Sequence, residues 1–127
     1  MRIAQTRLSI RTAPREISEI TAEVERWAER QEITTGLLSL YIPHTSASLL
    51  IQENASPDVR RDLDAFLQRI DMPAHIKSAL TQTQLTIPIT DGRLQLGTWQ
   101  GIFLLEHRAS PHDRALVLTL IGEEAYR

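Results

Sequence analysis

A histidine followed by small hydroxyl residues opens the most informative stretch of the chain, Ile42-Pro-His-Thr-Ser-Ala-Ser-Leu49. His44 follows a proline, and Glu53 and Asn54 come a few residues later. Hydroxyls and backbone N–H groups at a strand end can bind an anion, whereas histidine with carboxylate can transfer a proton or hold a metal. The simpler alternative is a turn in which Ser and Thr cap their own backbone. Both interpretations remain open at this point.

Phosphate is the anion that these hydroxyls suit best when an arginine assists them. The predicted ligand-binding hydroxyls are those of Thr45, Ser46 and Ser48. The arginines that could pair with the same phosphate are Arg60, Arg61 and Arg93. No glycine-rich phosphate loop of the Walker or dinucleotide type occurs in the sequence, so the hydroxyl cluster is the candidate phosphate site.

Three histidines, His44, His75 and His107, lie at predicted element ends or in a strand beside polar residues. No two histidines have the local spacing of a known metal motif, so structural histidines are the alternative to a Zn²⁺ or Mg²⁺ site. We expect His44 and His75 to approach one another, with Glu53 or His107 in the same pocket. Under this hypothesis His44, His75 and Glu53 are catalytic, and the three histidines are the candidate metal ligands.

Two further polar blocks interrupt apolar strands. Glu106 and His107 must point to opposite faces of one strand, and the carboxylate needs Arg108 or another arginine as partner. A structural ion pair and a functional role are both open for Glu106. In Gly97-Thr-Trp-Gln-Gly101, the glycines predict a bulge that directs Trp99 or Gln100 toward a ligand, or else a tryptophan packed at a barrel corner.

The amino-acid composition limits the classes of protein to which the chain can belong. The chain has 127 residues, of which 42% are hydrophobic and 24% charged, and we expect a single domain over residues 1–127. The net charge of −2 gives no general attraction to nucleic acid or anionic lipid. The absence of cysteine excludes disulfides and thiolate chemistry. Without an apolar leader or membrane-length run, we expect a cytoplasmic protein with neither nucleic-acid nor membrane partners.

Hydropathy patterns predict where the strands and helices lie along the sequence. Alternation predicts a strand over residues 2–11, and helical spacing predicts a helix from Ile17 to about Gln31. Residues 37–42 are almost wholly apolar, which predicts a strand covered on both faces, and residues 49–52 predict another strand. Ser56-Pro57-Asp58 starts a helix that runs to Ile70, and Pro73 opens a short helical piece.

The remainder is β-structure. Asp91-Gly92 between alternating segments predicts a hairpin, and Pro88 marks its first strand as an edge or a bulge. Two more strands follow over residues 102–108 and 116–121. The predicted fold class is α+β, with an antiparallel β-sandwich or barrel-like sheet and two main helices.

Several segments together resemble the YjbQ-like family over nearly the whole chain. The matching segments are His44-Thr-Ser-Ala-Ser-Leu, Glu53-Asn54, Pro57, Val59-Arg60, Asp71-Met-Pro-Ala-His75-Ile-Lys-Ser, Ile87 to Ile102, Glu106-His107-Arg108 and Thr119-Leu-Ile-Gly-Glu123. The resemblance implies a barrel-like α+β fold and a cytosolic homotrimer. Members are commonly named secondary thiamine-phosphate synthases, which join a pyrimidine pyrophosphate to a thiazole phosphate. The family's active-site or metal-site histidines are matched here by His44 and His75.

Two departures from the family pattern stand out. Relatives usually carry a longer polar loop with a Tyr-x-His-Asp segment before the Asp-Met-Pro-x-His stretch, whereas here Asp71 follows Ile70 directly. Gln84 also stands where a serine is usual. If the loop histidine has a chemical role in relatives, this chain has a truncated site.

Three functions follow from the residues and the resemblance. The first is a thiamine-phosphate-synthase-like transferase, in which the hydroxyls, Arg93, Trp99 and Gln100 bind a phosphorylated substrate and Glu53 lies near Mg²⁺. The second is a metal-assisted phosphate-ester hydrolase with His44 and His75 as ligands. The third is a non-catalytic trimeric binding protein.

Overall fold

The computed structural model describes residues 1–69 and 73–124, and within them eight strands and three helices form. The strands are β1 (Arg2–Arg11), β2 (Ile17–Glu19), β3 (Ile33–Tyr41), β4 (Ala47–Glu53), β5 (Gln84–Thr90), β6 (Arg93–Leu94), β7 (Gln100–Glu106) and β8 (Asp113–Glu124). The helices are α1 (Thr21–Arg30), α2 (Pro57–Arg69) and α3 (Ala74–Leu80). No helix in this described part is long and apolar enough to cross a membrane.

The strands make two antiparallel sheets. One has five strands in the order β1-β8-β3-β5-β6, and the other has three in the order β2-β7-β4. Apolar side chains from both sheets and from α1 form the main core between them. This curled antiparallel architecture confirms the predicted α+β class with two main helices, and α3 is the short helical piece predicted after Pro73.

The first predicted helix begins later than its apolar spacing indicates. Ile17 to Glu19 form β2, which pairs with β7, and the backbone N–H of Ile20 donates to Ile102 at 2.8 Å. No side-chain hydrogen bond caps the N-terminus of α1. A tertiary strand pairing has overridden the local helical pattern here.

The strand covered on both faces is β7, not β3. Leu37 and Tyr41 in β3 are half exposed, so the expectation for residues 37–42 is wrong. In β7, the whole run from Gly101 to Glu106 is buried. One face of its sheet contacts the main core, while on the other face Phe103 and Leu105 pack in a second cluster with side chains of α2.

The hairpin and the second helix follow their sequence signals. Asp91 and Gly92 adopt φ of 52° and 77°, and Ile89 pairs with Leu94. The strand that contains Pro88 is neither an edge nor bulged as predicted, because β5 pairs with β3 in continuous register and with β6 on its other side. The carbonyl of Pro88 accepts from Gln95, so the side that lacks an N–H faces the short β6. At the start of α2 the hydroxyl of Ser56 accepts from the Asp58 backbone at 3.3 Å. Ile70, Asp71 and Met72 lie outside the described residues.

The short helix α3 is tied to both neighbours by polar contacts. Lys77 is buried, and its Nζ donates to the Leu67 carbonyl of α2 at 2.8 Å. Ser78 donates from its hydroxyl to the Ala47 carbonyl at 3.1 Å. These bonds hold α3 against the beginning of β4, where the histidine-containing segment ends.

Candidate functional site

The predicted site residues divide between the two ends of β4. At one end Ala47 pairs with Glu106, and at the other Glu53 pairs with Gln100. Six residues of strand separate the ends, which is about 20 Å at the usual rise per residue. A single-chain site that uses residues from both ends is therefore not formed.

A buried ion pair organises the first end. The guanidinium of Arg114 donates from Nε to Oε1 of Glu106 at 2.8 Å and from Nη2 to Oε2. The carboxylate also accepts from the Thr12 hydroxyl at 2.6 Å and the Arg108 backbone at 3.1 Å. Burial disfavours the charged carboxylate, but the side-chain bonds from Arg114 and then Thr12 outweigh it and lower the pKa of Glu106. Glu106 is thus a satisfied structural anion.

Ser46 is part of this same network. Its hydroxyl accepts from Nη2 of Arg114 and Nε of Arg108, both at 3.0 Å, and its carbonyl accepts from the His107 backbone at 3.1 Å. Ser46 is buried, whereas the neighbouring Thr45 is exposed. The predicted ligand-binding hydroxyl of Ser46 therefore positions the segment after His44, and of the two residues only Thr45 is open to solvent.

Ser48 and His107 form a buried pair. The Ser48 hydroxyl lies 2.8 Å from Nε2 of His107 and accepts from the Thr81 hydroxyl at 2.6 Å. Burial, and next the charge of Lys77, lower the pKa of His107 to about 4. At neutral pH His107 is accordingly an uncharged imidazole whose Nε2 is already hydrogen bonded.

His44 is fixed by the backbone of β8. Its Nε2 accepts from the Ala115 N–H at 2.8 Å, so in the neutral ring Nδ1 carries the proton. Burial, then the charges of Arg114 and Arg7, lower the pKa of His44 below its usual 6.5. His44 therefore presents an N–H donor rather than a free base.

The three candidate metal ligands do not assemble within the chain. His75 lies on α3 and is exposed, while Nε2 of both His44 and His107 is engaged as described above. Among residues 1–69 and 73–124, no three histidine, aspartate or glutamate side chains are grouped closely enough to hold a metal. Glu53 does not join His44 in a pocket of a single chain, because it lies at the far end of β4, whereas the alternative partner, His107, lies at the His44 end.

Two clefts lie at the Glu53 end. The first, here called the α2 cleft, has a volume of about 610 Å³ and lies between residues 13–19, the end of β4 and α2. Its lining includes Arg15, Glu53, Asn54, Arg60, Arg61 and Asp64. The second, the α1 cleft, has about 480 Å³ and lies between α1, the β5–β6 hairpin and residues 97–100. Its lining includes Glu25, Glu29, Asn54, Arg93 and Gln100.

Arg93 therefore does not accompany Thr45 and Ser46 as expected. It pairs with Thr90, and Thr90 pairs with Thr35 at the beginning of β3, whereas His44 follows the end of β3. The arginines beside Ser46 are Arg108 and Arg114 instead. The register of the β5–β6 hairpin places Arg93 at the end of the sheet opposite to His44. The spacing of these residues along the sequence does not reveal this position.

Trp99 and Gln100 belong to a turn that enters β7. Trp99 is 65% exposed, so the alternative of a tryptophan packed at a barrel corner is wrong. Its carbonyl accepts from the Asn54 backbone at 2.9 Å, and Oε1 of Gln100 accepts from the Gly97 N–H at 2.8 Å. The turn thus presents the indole to solvent and Gln100 to the α1 cleft.

Arg114 is the important residue that sequence reasoning did not single out. It shares the inward-facing register of β8 with Leu116, Leu118 and Leu120. An arginine that alternates with apolar residues on the inward face of a strand needs a buried anion as its partner. Glu106, the acid at the end of an apolar strand, was the candidate anion in the sequence.

Replacement of Glu106 by glutamine should destabilise the fold by about 3 kcal/mol, because the Arg114 guanidinium would stay buried without its counter-charge. Urea denaturation measures this change. The matched control is Asp113→Asn, which removes an exposed pair with Arg11 (3.4 Å) and should cost less than about 1 kcal/mol. Equal losses in the two variants would contradict the anchoring role.

The lowered pKa of His107 predicts a pH-dependent stability. Between about pH 4 and 6.5 the unfolded chain binds a proton at this histidine and the folded chain does not, so stability falls as pH decreases. We expect His107→Gln to remove about 1 to 2 kcal/mol of the decrease in unfolding free energy between pH 7 and pH 5. Urea titrations at both pH values test this, with exposed His75→Gln as control. An unchanged pH profile in His107→Gln would refute the assignment.

Known proteins match the chain over most of its length. A UPF0047 protein from Synechocystis sp. is 42% identical over 132 aligned positions, covering 91% of this chain and 90% of the relative. The YjbQ protein of Escherichia coli O157:H7 is 38% identical, with 94% of this chain and 98% of the relative covered. The Synechocystis alignment has more positions than this chain has residues, which is consistent with a shortened loop here.

Solved structures share the fold. An X-ray structure from C. acetobutylicum superposes with a TM-score of 0.85 at 34% identity, covering 93% of this chain and 99% of the other. A hypothetical protein from Aeropyrum pernix gives 0.83 at 28% identity, covering 97% and 100%. The sequence model described as UPF0047 protein YjbQ-like matches residues 6–123. This chain therefore belongs to the YjbQ-like UPF0047 family.

Proposed function

We propose that the protein is a cytoplasmic enzyme that acts on a small pyrophosphorylated molecule in the α2 cleft, as a transferase of the thiamine-phosphate-synthase type. The observation that carries this proposal is that Arg15, Arg60 and Arg61 all line one 610 Å³ cleft. The carboxylates in the same lining are those of Glu16, Glu19, Glu53 and Asp64. That volume suits a small-molecule ligand. Arginine clusters bind phosphate oxygens through paired, charge-assisted hydrogen bonds.

Two of these arginines are positioned by contacts to the protein. Arg60 donates to the Ile17 carbonyl, and its guanidinium carbon lies 5.6 Å from the centre of the Phe103 ring. Arg15 adopts φ of 52°, and its N–H donates to the Arg108 carbonyl at 2.8 Å. A non-glycine residue in this conformation is held there by its surroundings. The cleft is thereby linked to the Glu106–Arg114 network through Arg108.

Glu53 is the carboxylate that suits a magnesium ion in this cleft. The described residues contain no ready three-ligand protein site, but Mg²⁺ usually binds one or two carboxylates together with substrate phosphates and waters. When bound, the ion would neutralise charge on a departing pyrophosphate. The arginines that line the cleft would contribute the same stabilisation.

Pyrophosphate should bind the wild-type protein in isothermal titration calorimetry, more tightly with Mg²⁺ present. Arg15→Asn should weaken this binding at least tenfold, because it removes a guanidinium while asparagine tolerates the same backbone conformation. Exposed Arg26→Ala on α1 is the charge-matched control. Thiamine phosphate formation from the pyrimidine pyrophosphate and thiazole phosphate is the activity assay.

Equal affinity in Arg15→Asn and Arg26→Ala would move the phosphate site elsewhere. Wild-type protein that neither binds pyrophosphate nor forms product would contradict the enzyme proposal.

We also propose that the chain assembles as a homotrimer through the outer face of the five-stranded sheet. Ile3 pairs with Ile121, and Ile121 pairs with Leu37, so three apolar side chains form one cross-strand row. Their exposed fractions are 66%, 42% and 53% respectively. A continuous exposed apolar row on a sheet is typical of a subunit contact. The number three comes from the resemblance to the family.

Leu37→Asp should dissociate the assembly, because it places a charge in the centre of the apolar row. Light scattering coupled to size exclusion should give three times the 14.4 kDa chain mass for the wild type and one chain mass for the variant. Leu80→Asp on α3, also an exposed leucine, should leave the mass unchanged. A wild-type mass of one chain at micromolar concentration would refute the trimer.

A further inference from the structure

Lys77 is a buried amine and the only lysine in the chain. The 14 lysine and arginine residues are otherwise all arginines. Lys77 is 8% exposed, and its Nζ donates to the Leu67 carbonyl at 2.8 Å. Within residues 1–69 and 73–124, no carboxylate forms an ion pair with it. Because a buried charge normally has a counter-charge, this amine differs from Arg114, which is paired with Glu106.

A narrow inner space lies between this amine and the α2 cleft. Its volume is about 10 Å³, enough for roughly one water molecule, and its lining includes Lys77 and His107. The residues that line both the inner space and the α2 cleft are Arg15, Ile17, Asp64 and Gln68. Arg15 and Gln68 are exposed, and exposed side chains change rotamer within nanoseconds, so the boundary between the two spaces can open.

We propose that Lys77 forms an imine with the terminal aldehyde of a small anionic molecule, whose charged group lies among the arginines of the α2 cleft. The inner space admits a group about as large as a water molecule, such as an aldehyde oxygen. It excludes a ketone, whose carbonyl carbon bears a carbon substituent on each side. Arg15 lines both spaces, so its guanidinium can hold the anionic end while the aldehyde faces the amine.

The reaction conserves the positive charge of the site. The nitrogen of Lys77 bonds to the aldehyde carbon, the carbonyl oxygen leaves as water, and the ammonium becomes a protonated imine. Ammonium and aldehyde thus give iminium and water, with no oxidant or further reactant. The iminium keeps one N–H for the Leu67 carbonyl. Burial, and then the charge of Lys77, lower the pKa of His107 to about 4, so this imidazole adds no second positive charge at neutral pH.

Reductive trapping tests the proposal, with glyceraldehyde 3-phosphate as the probe. Sodium cyanoborohydride converts an imine into a stable secondary amine, which peptide mass spectrometry then locates. The chain has two primary amines, Lys77 and the N-terminus of Met1, and exposed Met1 is the internal reference. We expect glyceraldehyde 3-phosphate to label Lys77 at least tenfold more than Met1.

Two matched probes separate the determinants of this reaction in the wild-type protein. Glyceraldehyde lacks the phosphate, and dihydroxyacetone phosphate carries a ketone instead of the aldehyde. The ratio of Lys77 labelling to Met1 labelling should fall at least tenfold with each of them. Arg15→Asn should lower this ratio at least tenfold for glyceraldehyde 3-phosphate, whereas Arg30→Gln, which removes an exposed charge on α1, should leave it unchanged.

Labelling of Met1 alone would overturn the inference. A ratio that is the same for glyceraldehyde and its phosphate, or the same in Arg15→Asn and the wild type, would also overturn it. The probe comparison needs no substitution, so it decides the question even where Arg15→Asn does not fold.

This inference uses the arginines of the proposed function but neither its Mg²⁺ nor its leaving pyrophosphate, so the two can fail separately. Pyrophosphate binding without labelling of Lys77 would overturn the inference and leave the proposed function standing. Arg15-dependent labelling of Lys77 in a protein that binds no pyrophosphate would support the inference and contradict the transferase.

Discussion

The buried pair of Glu106 and Arg114 joins the two sheets at one end of the molecule. Glu106 ends β7 of the small sheet and Arg114 lies at the start of β8 in the large one, so their contact fixes the spacing between sheets. Thr12 brings the end of β1 to the same carboxylate, and Ser46 brings the segment after His44 to the same guanidinium. A buried charge without its partner destabilises the folded state, so the burial of Glu106 and the burial of Arg114 depend on each other.

Much of the architecture could be predicted because strand alternation and turn chemistry are local signals. The alternation of β1 and the Asp91-Gly92 hairpin are confirmed, as is the helix start at Ser56. The incorrect predictions concern elements whose conformation depends on residues that are distant in the sequence. Ile17 joins a strand because β7 offers it backbone partners, and β3 is open on one face because α2 covers the other sheet.

The candidate site could be predicted residue by residue but not as an assembly. His44, Ser46, Ser48 and His107 do converge with Glu106 at one end of β4, and Glu53 does line a cleft at the other. Strand register decides which end each residue reaches, and register depends on pairings that a sequence pattern does not contain. Arg93 illustrates this, since only the hairpin geometry carries it to the α1 cleft.

The ties between α3 and its neighbours bear on how the chain can change in length. Lys77 and Ser78 of α3 donate hydrogen bonds to the carbonyls of Leu67 and Ala47, and Thr81, just after the helix, donates to the hydroxyl of Ser48. These side chains position α3 against α2 and β4. A change of length between α2 and α3 alters none of the groups that make these bonds, so a relative with a longer loop can keep the Ser48–His107 pair.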